Sequence, residues 1–283
     1  MKYLSLVFLV MIAPACQVQK ADNRTLNFPA IREKVDQLPE KEKLWIFILA
    51  GQSNMAGRGF VEPVDTVPNK RIFSLDEHKN WVYAKEPLHF YEPNLTGLDC
   101  GVSFAKALLK CIPEDISIGL VPCAVGGSAV AQWNNDEVYR GVKLLTNFRE
   151  RATAAQGQGV IKGILWHQGE SDGNSERIPR YREAVEELFK TFRAITKNDE
   201  LPILVGELGA YMKPRETQEN WDSINRIIHE SADSDPNRFV ISTKDLKHKG
   251  DHIHFNSKSQ REIGRRFARE YLKEVLGLTS CWQ

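Results

Sequence analysis

Apolar residues in this chain fall in short unbroken runs rather than in alternation. Leu44 to Ala50 (LWIFILA) is the first. Ile116 to Pro122, Val160 to Gly169, Pro202 to Gly209 and Arg238 to Thr243 follow. Runs of strand length that are apolar throughout suit strands buried on both faces of a parallel sheet. Between them the apolar period changes to that of a helix. Ser103 to Cys111, Glu137 to Ala155, Ile178 to Lys197, Glu216 to Ala232 and Ser257 to Leu276 are the helical stretches. Tyr181, Val185, Leu188, Phe189 and Phe192 share one stripe, and Ile263, Phe267, Tyr271 and Leu272 another. This alternation predicts an α/β protein: a three-layer α/β/α sandwich around a central parallel sheet of about five strands.

In such folds the ligand crevice lies beyond the carboxyl ends of the strands. Chemistry should therefore gather just after each apolar run, and it does. The segments there are GQSN, CAVGGSA, HQGESD, GELGAY and, after a short loop, DHIHFN. Ser53 reads either as a turn serine or as a nucleophile. A nucleophilic serine needs a base to take its proton. Of the seven histidines, His254 stands out because Asp251 precedes it by three residues. A turn with that spacing lets the carboxylate hold one ring nitrogen while the other faces Ser53. His78, His89 and His229 read as surface or packing residues. Donors for a developing oxyanion are the Ser53 N–H, Gly126 or Gly127, and the side-chain amide of Gln168. Gln52, Asn54, Arg58, Trp133 and Tyr211 are candidates for holding substrate, the aromatic ones by stacking on sugar rings; Trp221 is a further aromatic of this kind. Each aromatic reads equally as a core residue. Arg58 would meet an acidic group on the substrate or a neighbouring carboxylate.

Composition narrows this picture little. The chain has 283 residues, 42% hydrophobic and 27% charged, with formal net charge +1. That balance fits one large domain and gives no reason to expect a nucleic-acid partner or an anionic membrane surface. The N-terminus is different in kind. A lysine, a short apolar run and small residues up to Ala15 describe a secretory signal peptide. Cys16 fits either a lipoprotein processing site or an incidental residue of a simple signal. Residues 1–22 therefore read as a leader and 23–43 as a polar lead-in. Residues 44–283 read as the catalytic domain of an exported protein, whose one expected tie to a membrane is a lipid at Cys16 if that cysteine is processed. The other cysteines, Cys100, Cys111, Cys123 and Cys281, show no metal spacing and read as free thiols. The chemistry calls for no metal and no organic cofactor.

GQSNMAGRG, CAVGGSA, WHQGESD and DHIHFN, in this order, resemble the sialate O-acetylesterase-like branch of the SGNH (GDSL-type) hydrolases, a branch grouped with carbohydrate esterases. The likeness runs from Leu49 to Asn256. It implies a flavodoxin-like α/β/α fold and a two-step hydrolysis of acetyl esters on saccharides such as acetylated xylan or sialic acid. Ser53 matches the nucleophile, His254 the base and Asp251 the acid. The Ser53 N–H, a glycine of Gly126–Gly127 and Gln168 match the oxyanion donors, with Gln168 standing where most of the superfamily has asparagine. Glu170 is the alternative acid, since some members orient the histidine from this position. Two other readings are an inactive carbohydrate-binding protein on the same fold and a longer-chain lipase or thioesterase. The full set of candidate groups argues against the first. The lack of an added apolar lid segment argues against the second.

Overall fold

The computed structural model describes residues 23–279. The expected leader over residues 1–22, Cys16 and Cys281 lie outside the described residues. All five apolar runs are strands: β1 (Leu44–Gly51), β4 (Ser117–Pro122), β7 (Val160–His167), β8 (Ile203–Gly206) and β9 (Arg238–Ile241). The sheet has seven strands, because β2 (Ile72–Leu75) and β3 (Trp81–Tyr83) extend one edge. The order is β3-β2-β4-β1-β7-β8-β9, parallel except for β3, which pairs antiparallel with β2. These two strands are four and three residues long, too short to carry a pattern of their own.

The apolar character of β1 follows from its central place between β4 and β7. Its alternate residues feed two separate cores. Leu44, Ile46, Ile48 and Ala50 enter one, with residues of helices α4 (Leu144–Gln156), α5 (Ile178–Thr196) and α6 (Arg215–Asp233). Phe47 and Leu49 enter the other, with residues of α2 (Gly101–Leu108) and α7 (Ser257–Glu270). A strand covered on both faces has no solvent side to mark with polar residues, which is the three-layer sandwich expected. The outer edge strand β3 is covered as well: Val35 N–H donates to the Trp81 carbonyl and Tyr83 N–H to the Glu33 carbonyl, both at 2.9 Å. The lead-in segment thus takes up hydrogen-bonding groups that an open edge would expose.

The helical stretch expected from Glu137 divides. Residues 138–143 form a hairpin of β5 (Val138–Tyr139) and β6 (Val142–Lys143), and α4 begins only at Leu144. Arg140 and Gly141 at the tip have φ of 49° and 79°, the left-handed backbone of a tight hairpin turn. This hairpin matters because it carries Tyr139 and Arg140 to the functional edge of the sheet. Cys100 and Cys123 are buried free thiols. Among the described residues no helix is long and apolar enough to cross a membrane, and no cluster of three His, Cys, Asp or Glu could hold a metal ion.

Candidate active site

The carboxyl end of β1 turns sharply at Gly51, where φ is 133° and a Cβ would sit 2.1 Å from the His167 carbonyl oxygen. Only glycine lets β1 and β7 approach so closely there. The short helix α1 (Ser53–Ala56) starts two residues later with Ser53 at its first position. On the other side of the sheet order, the loop between β9 and α7 brings the DHIHFN segment back over α1. His252 has φ 60°, which closes this loop into a tight turn. Asp251 Oδ1 accepts the N–H groups of Ile253 at 3.0 Å and His254 at 2.8 Å, and Oδ2 lies 2.7 Å from His254 Nδ1. His254 Nε2 lies 3.0 Å from Ser53 Oγ. The serine, histidine and aspartate expected from sequence therefore form one continuous hydrogen-bond chain.

The electrostatics suit a neutral base at rest. Burial lowers the His254 pKa from its ordinary value, Asp251 opposes this, and the cations Lys249 and Arg58 push it further down. Burial works against the Asp251 charge, but the His254 and Ile253 N–H groups and the imidazole outweigh it and hold the carboxyl at about 2. Asp251 is thus a fixed negative charge, able to stabilise the imidazolium when His254 takes a proton.

The other candidates divide. Gly126 N–H is taken by Glu92 Oε2 at 2.6 Å, so it does not point into the cleft. Gly127, with φ 82°, lines the cleft, and neither its N–H nor that of Ser53 meets an acceptor among the described residues. Gln168 departs from expectation. Its side chain is fully buried, its amide donates to the Ser128 carbonyl at 3.1 Å and to Asp172 Oδ2, and its Oε1 accepts from the Tyr181 hydroxyl at 3.3 Å. With both amide protons spent inside the core, it has none for an oxyanion. Gln52 does line the cleft, its Oε1 facing the Ser171 N–H at 3.2 Å.

Arg58 also lines the cleft, and its partner is Glu92, at 2.8 Å. Arg140 from the hairpin pairs with the other Glu92 oxygen. Trp133 is no sugar platform. It is fully buried against Trp166 and Phe192, with its indole N–H on Ser128 Oγ at 2.9 Å. Tyr211 packs against Phe255 and His248 and donates its hydroxyl to the Ile253 carbonyl at 3.3 Å, supporting the loop from behind. Asn54 is buried and holds that same loop. Glu170 contacts Asn54 at 2.6 Å rather than His254. Trp221 backs the cleft, but it too is buried in the core and offers no open ring face.

The cleft has a volume of about 440 Å³. Besides the residues expected, Arg24, Arg140, Lys249, Leu95 and Met212 line it. No sequence pattern marks Arg24, Glu92 or Arg140: they arrive from the lead-in, a loop and the tip of the β5–β6 hairpin, away from the carboxyl ends of the main sheet's apolar strands. Lys249 alone lay within reach, two residues before Asp251.

Comparison with known proteins shows the family and the fold. Residues 43–273 match the family model described as carbohydrate esterase, sialic acid-specific acetylesterase. A probable carbohydrate esterase of Arabidopsis thaliana is 32% identical over 250 residues, covering 80% of this chain and 90% of that protein. An X-ray structure from Arabidopsis thaliana has TM-score 0.72 at 29% identity, covering 83% of this chain and 99% of its own. NanS, with TM-score 0.63 and 17% identity over 85% of this chain and all of its own, shares the fold. So does a carbohydrate acetylesterase from Xanthomonas citri, with TM-score 0.60 and 17% identity over 83% of this chain and 56% of its own. The chain belongs to the sialic acid-specific acetylesterase family of carbohydrate esterases and is a carboxylic ester hydrolase.

Proposed function

We propose that the protein removes O-acetyl groups from saccharides by a two-step mechanism on Ser53. The observation that carries this reading is the chain of hydrogen bonds from Asp251 through His254 to Ser53 Oγ, on the wall of an open cleft. His254 Nε2 takes the Ser53 proton as Oγ bonds to the acetyl carbonyl carbon. The Ser53 and Gly127 N–H groups receive the negative oxygen of the tetrahedral intermediate. As the ester C–O bond breaks, His254 returns the proton to the departing sugar oxygen, leaving acetyl-Ser53. Water, deprotonated by His254, then attacks the acetyl carbon and releases acetate and free Ser53. Asp251 stays ionised throughout and stabilises each imidazolium.

The cleft lining also bears on substrate. Arg24, Arg58, Arg140 and Lys249 surround the nucleophile, against the carboxylates of Glu170 and Asp251. With Glu92 compensating part of the Arg58 and Arg140 charge, the rim stays cationic and favours a sugar that carries its own carboxylate. The family name and the Arabidopsis relative's designation as a carbohydrate esterase support the saccharide reading. The test is turnover of p-nitrophenyl acetate, p-nitrophenyl octanoate, acetylated xylan and an O-acetylated sialic acid by the wild type and Ser53→Ala. Full activity in Ser53→Ala refutes the mechanism. Preference for octanoate refutes the substrate class, and equal kcat/KM on neutral and acidic acetylated sugars refutes the role of the rim.

A further inference from the structure

We propose that Asn54 and Glu170 form a buried strap that holds the His254 imidazole in register with Ser53, as positioning residues that act through the backbone on either side of His254. The proposal rests on the Ser53–His254 reading above. Asn54 Oδ1 accepts the Phe255 N–H at 3.1 Å, and its Nδ2 donates to the Ile253 carbonyl at 3.2 Å. One amide therefore grips the residue before His254 and the residue after it. Asn54 directly follows Ser53, so a single side chain joins the nucleophile's helix to a loop 201 residues away. Gln260 of α7 adds a further tie, its Nε2 donating to the Asn54 carbonyl at 2.9 Å.

A buried primary amide has one right way round. Turned end for end, Asn54 would set its oxygen against the Ile253 carbonyl and its NH₂ against the Phe255 N–H. Glu170 reinforces that orientation: its Oε1 accepts the second Nδ2 proton at 2.6 Å, so the amide nitrogen has an acceptor for each of its protons. Glu170 reaches this place because the chain after β7 turns at Gly169, where φ is 141° and a Cβ would meet Ile224 at 2.7 Å.

Stability alone does not account for this carboxylate. The Glu170 side chain is 5% exposed, and its Oε2 has no hydrogen-bond partner among the described residues. His167 Nδ1 stands 3.7 Å from Oε1, within ion-pair reach but beyond a hydrogen bond, and has no hydrogen-bond partner among the described residues, while His167 Nε2 faces the Glu207 carbonyl at 2.9 Å. A buried carboxylate oxygen without a partner costs free energy. The bond that Glu170 does make is spent on Asn54, and Asn54 sets the two peptide groups that aim His254. Displacing a reacting group by about an ångström can cost on the order of 10²-fold in rate, so small errors in this strap should reach turnover.

The experiment measures kcat, KM, pH profiles and melting for Asn54→Asp, Asn54→Ala, Glu170→Ala and Glu170→Gln, beside Ser53→Ala. It also follows the downfield NMR resonance of the proton between Asp251 and His254. Asn54→Asp keeps the size but sets two carboxylates together; Glu170→Gln keeps the acceptor oxygen. The Asn54 variants and Glu170→Ala should lower kcat by about 10²-fold at nearly unchanged KM, since the lost term is geometric. Their downfield resonance should shift or broaden. Glu170→Gln should keep most of kcat and the resonance, and adding it to Asn54→Asp should recover part of the loss. The strap is overturned if all four variants turn over like wild type while Ser53→Ala is dead. It is equally overturned if kcat falls only in step with melting temperature and the resonance does not move. Glu170→Gln as harmful as Asp251→Asn would mean that Glu170 acts by its charge, which also overturns it. Activity in Ser53→Ala would instead refute the mechanism beneath the proposal.

Discussion

Two aspartate–histidine pairs in this chain have nearly the same inner geometry. Asp251 Oδ2 lies 2.7 Å from His254 Nδ1, and Asp99 Oδ2 lies 2.9 Å from His89 Nδ1. They differ in what stands beyond the other ring nitrogen. His254 Nε2 faces Ser53 Oγ at 3.0 Å. His89 Nε2 is buried and has no hydrogen-bond partner among the described residues. Their surroundings differ as well. His254 borders the cleft, whereas Asp99 is fully buried beside Glu86, whose carboxyl is pushed well above the usual range by burial and by the Asp99 charge. An aspartate orienting a histidine is thus a structural unit with more than one use. It can drive chemistry only where the far nitrogen meets a nucleophile and substrate can reach both.

Substitution should separate the two pairs most sharply at the histidines. His254→Ala should cost about 10⁴-fold or more in kcat on p-nitrophenyl acetate, the scale of losing a triad base. His89→Gln should leave kcat per folded molecule unchanged and lower the melting temperature, by about 1–3 kcal/mol of stability if the buried Asp99 carboxylate loses its partner. Turnover lost in His89→Gln without a stability change would erase the contrast. The aspartates come next. Asp251→Asn should lower kcat by about 10²- to 10⁴-fold through loss of the fixed charge, far more than Glu170→Gln does, while Asp99→Asn should again act on stability; steady-state kinetics and thermal melts read both.

A smaller effect belongs to Glu86. A carboxyl raised by burial favours folding at low pH and loses that contribution as pH climbs past the ordinary glutamate value of 4.5. Glu86→Gln should therefore gain melting temperature over wild type as pH rises, and a gain that shrinks with pH would contradict the burial argument. Asp251 has the opposite sign. Its carboxyl is held at about 2 against an ordinary 3.8, so its contribution is present above 3.8 and fades toward 2. The smallest change concerns the base itself. The acid limb of kcat/KM should lie below the ordinary histidine value of 6.5, because burial and neighbouring cations disfavour the imidazolium. Lys249→Met removes one of those cations and should move the limb to higher pH; a downward movement would break this account.

Much of the molecule was legible from one-dimensional patterns. Strands β1, β4, β7 and β8 were readable because a strand buried on both faces must be apolar throughout, the edge strand β9 because its short run is apolar too, and α5 because its stripe from Tyr181 to Phe192 repeats over about three turns. Strands β2 and β3 escaped because three or four residues cannot show a period. The β5–β6 hairpin escaped because the pattern was read through Gly141, where the backbone in fact reverses. Trp133 and Trp221 both follow strand ends in the sequence, yet both turn into the core.

The contrast within the site follows the same line. Asp251 and His254 lie one turn apart, so local geometry alone brings carboxylate and imidazole together, and their contact could be read from spacing. Side chains that follow a strand can point into the cleft or into the core, and only packing chooses. Gln168 was sent inward by Ser128, Asp172 and Tyr181; Gly126 N–H was taken by Glu92, leaving Gly127 as the glycine with an open donor. Asn54 found Glu170 across 116 residues and Ile253 across 199, and Arg58 found Glu92 across 34. Contacts of that span depend on which strands neighbour one another and in what register, and no local pattern along the chain encodes them.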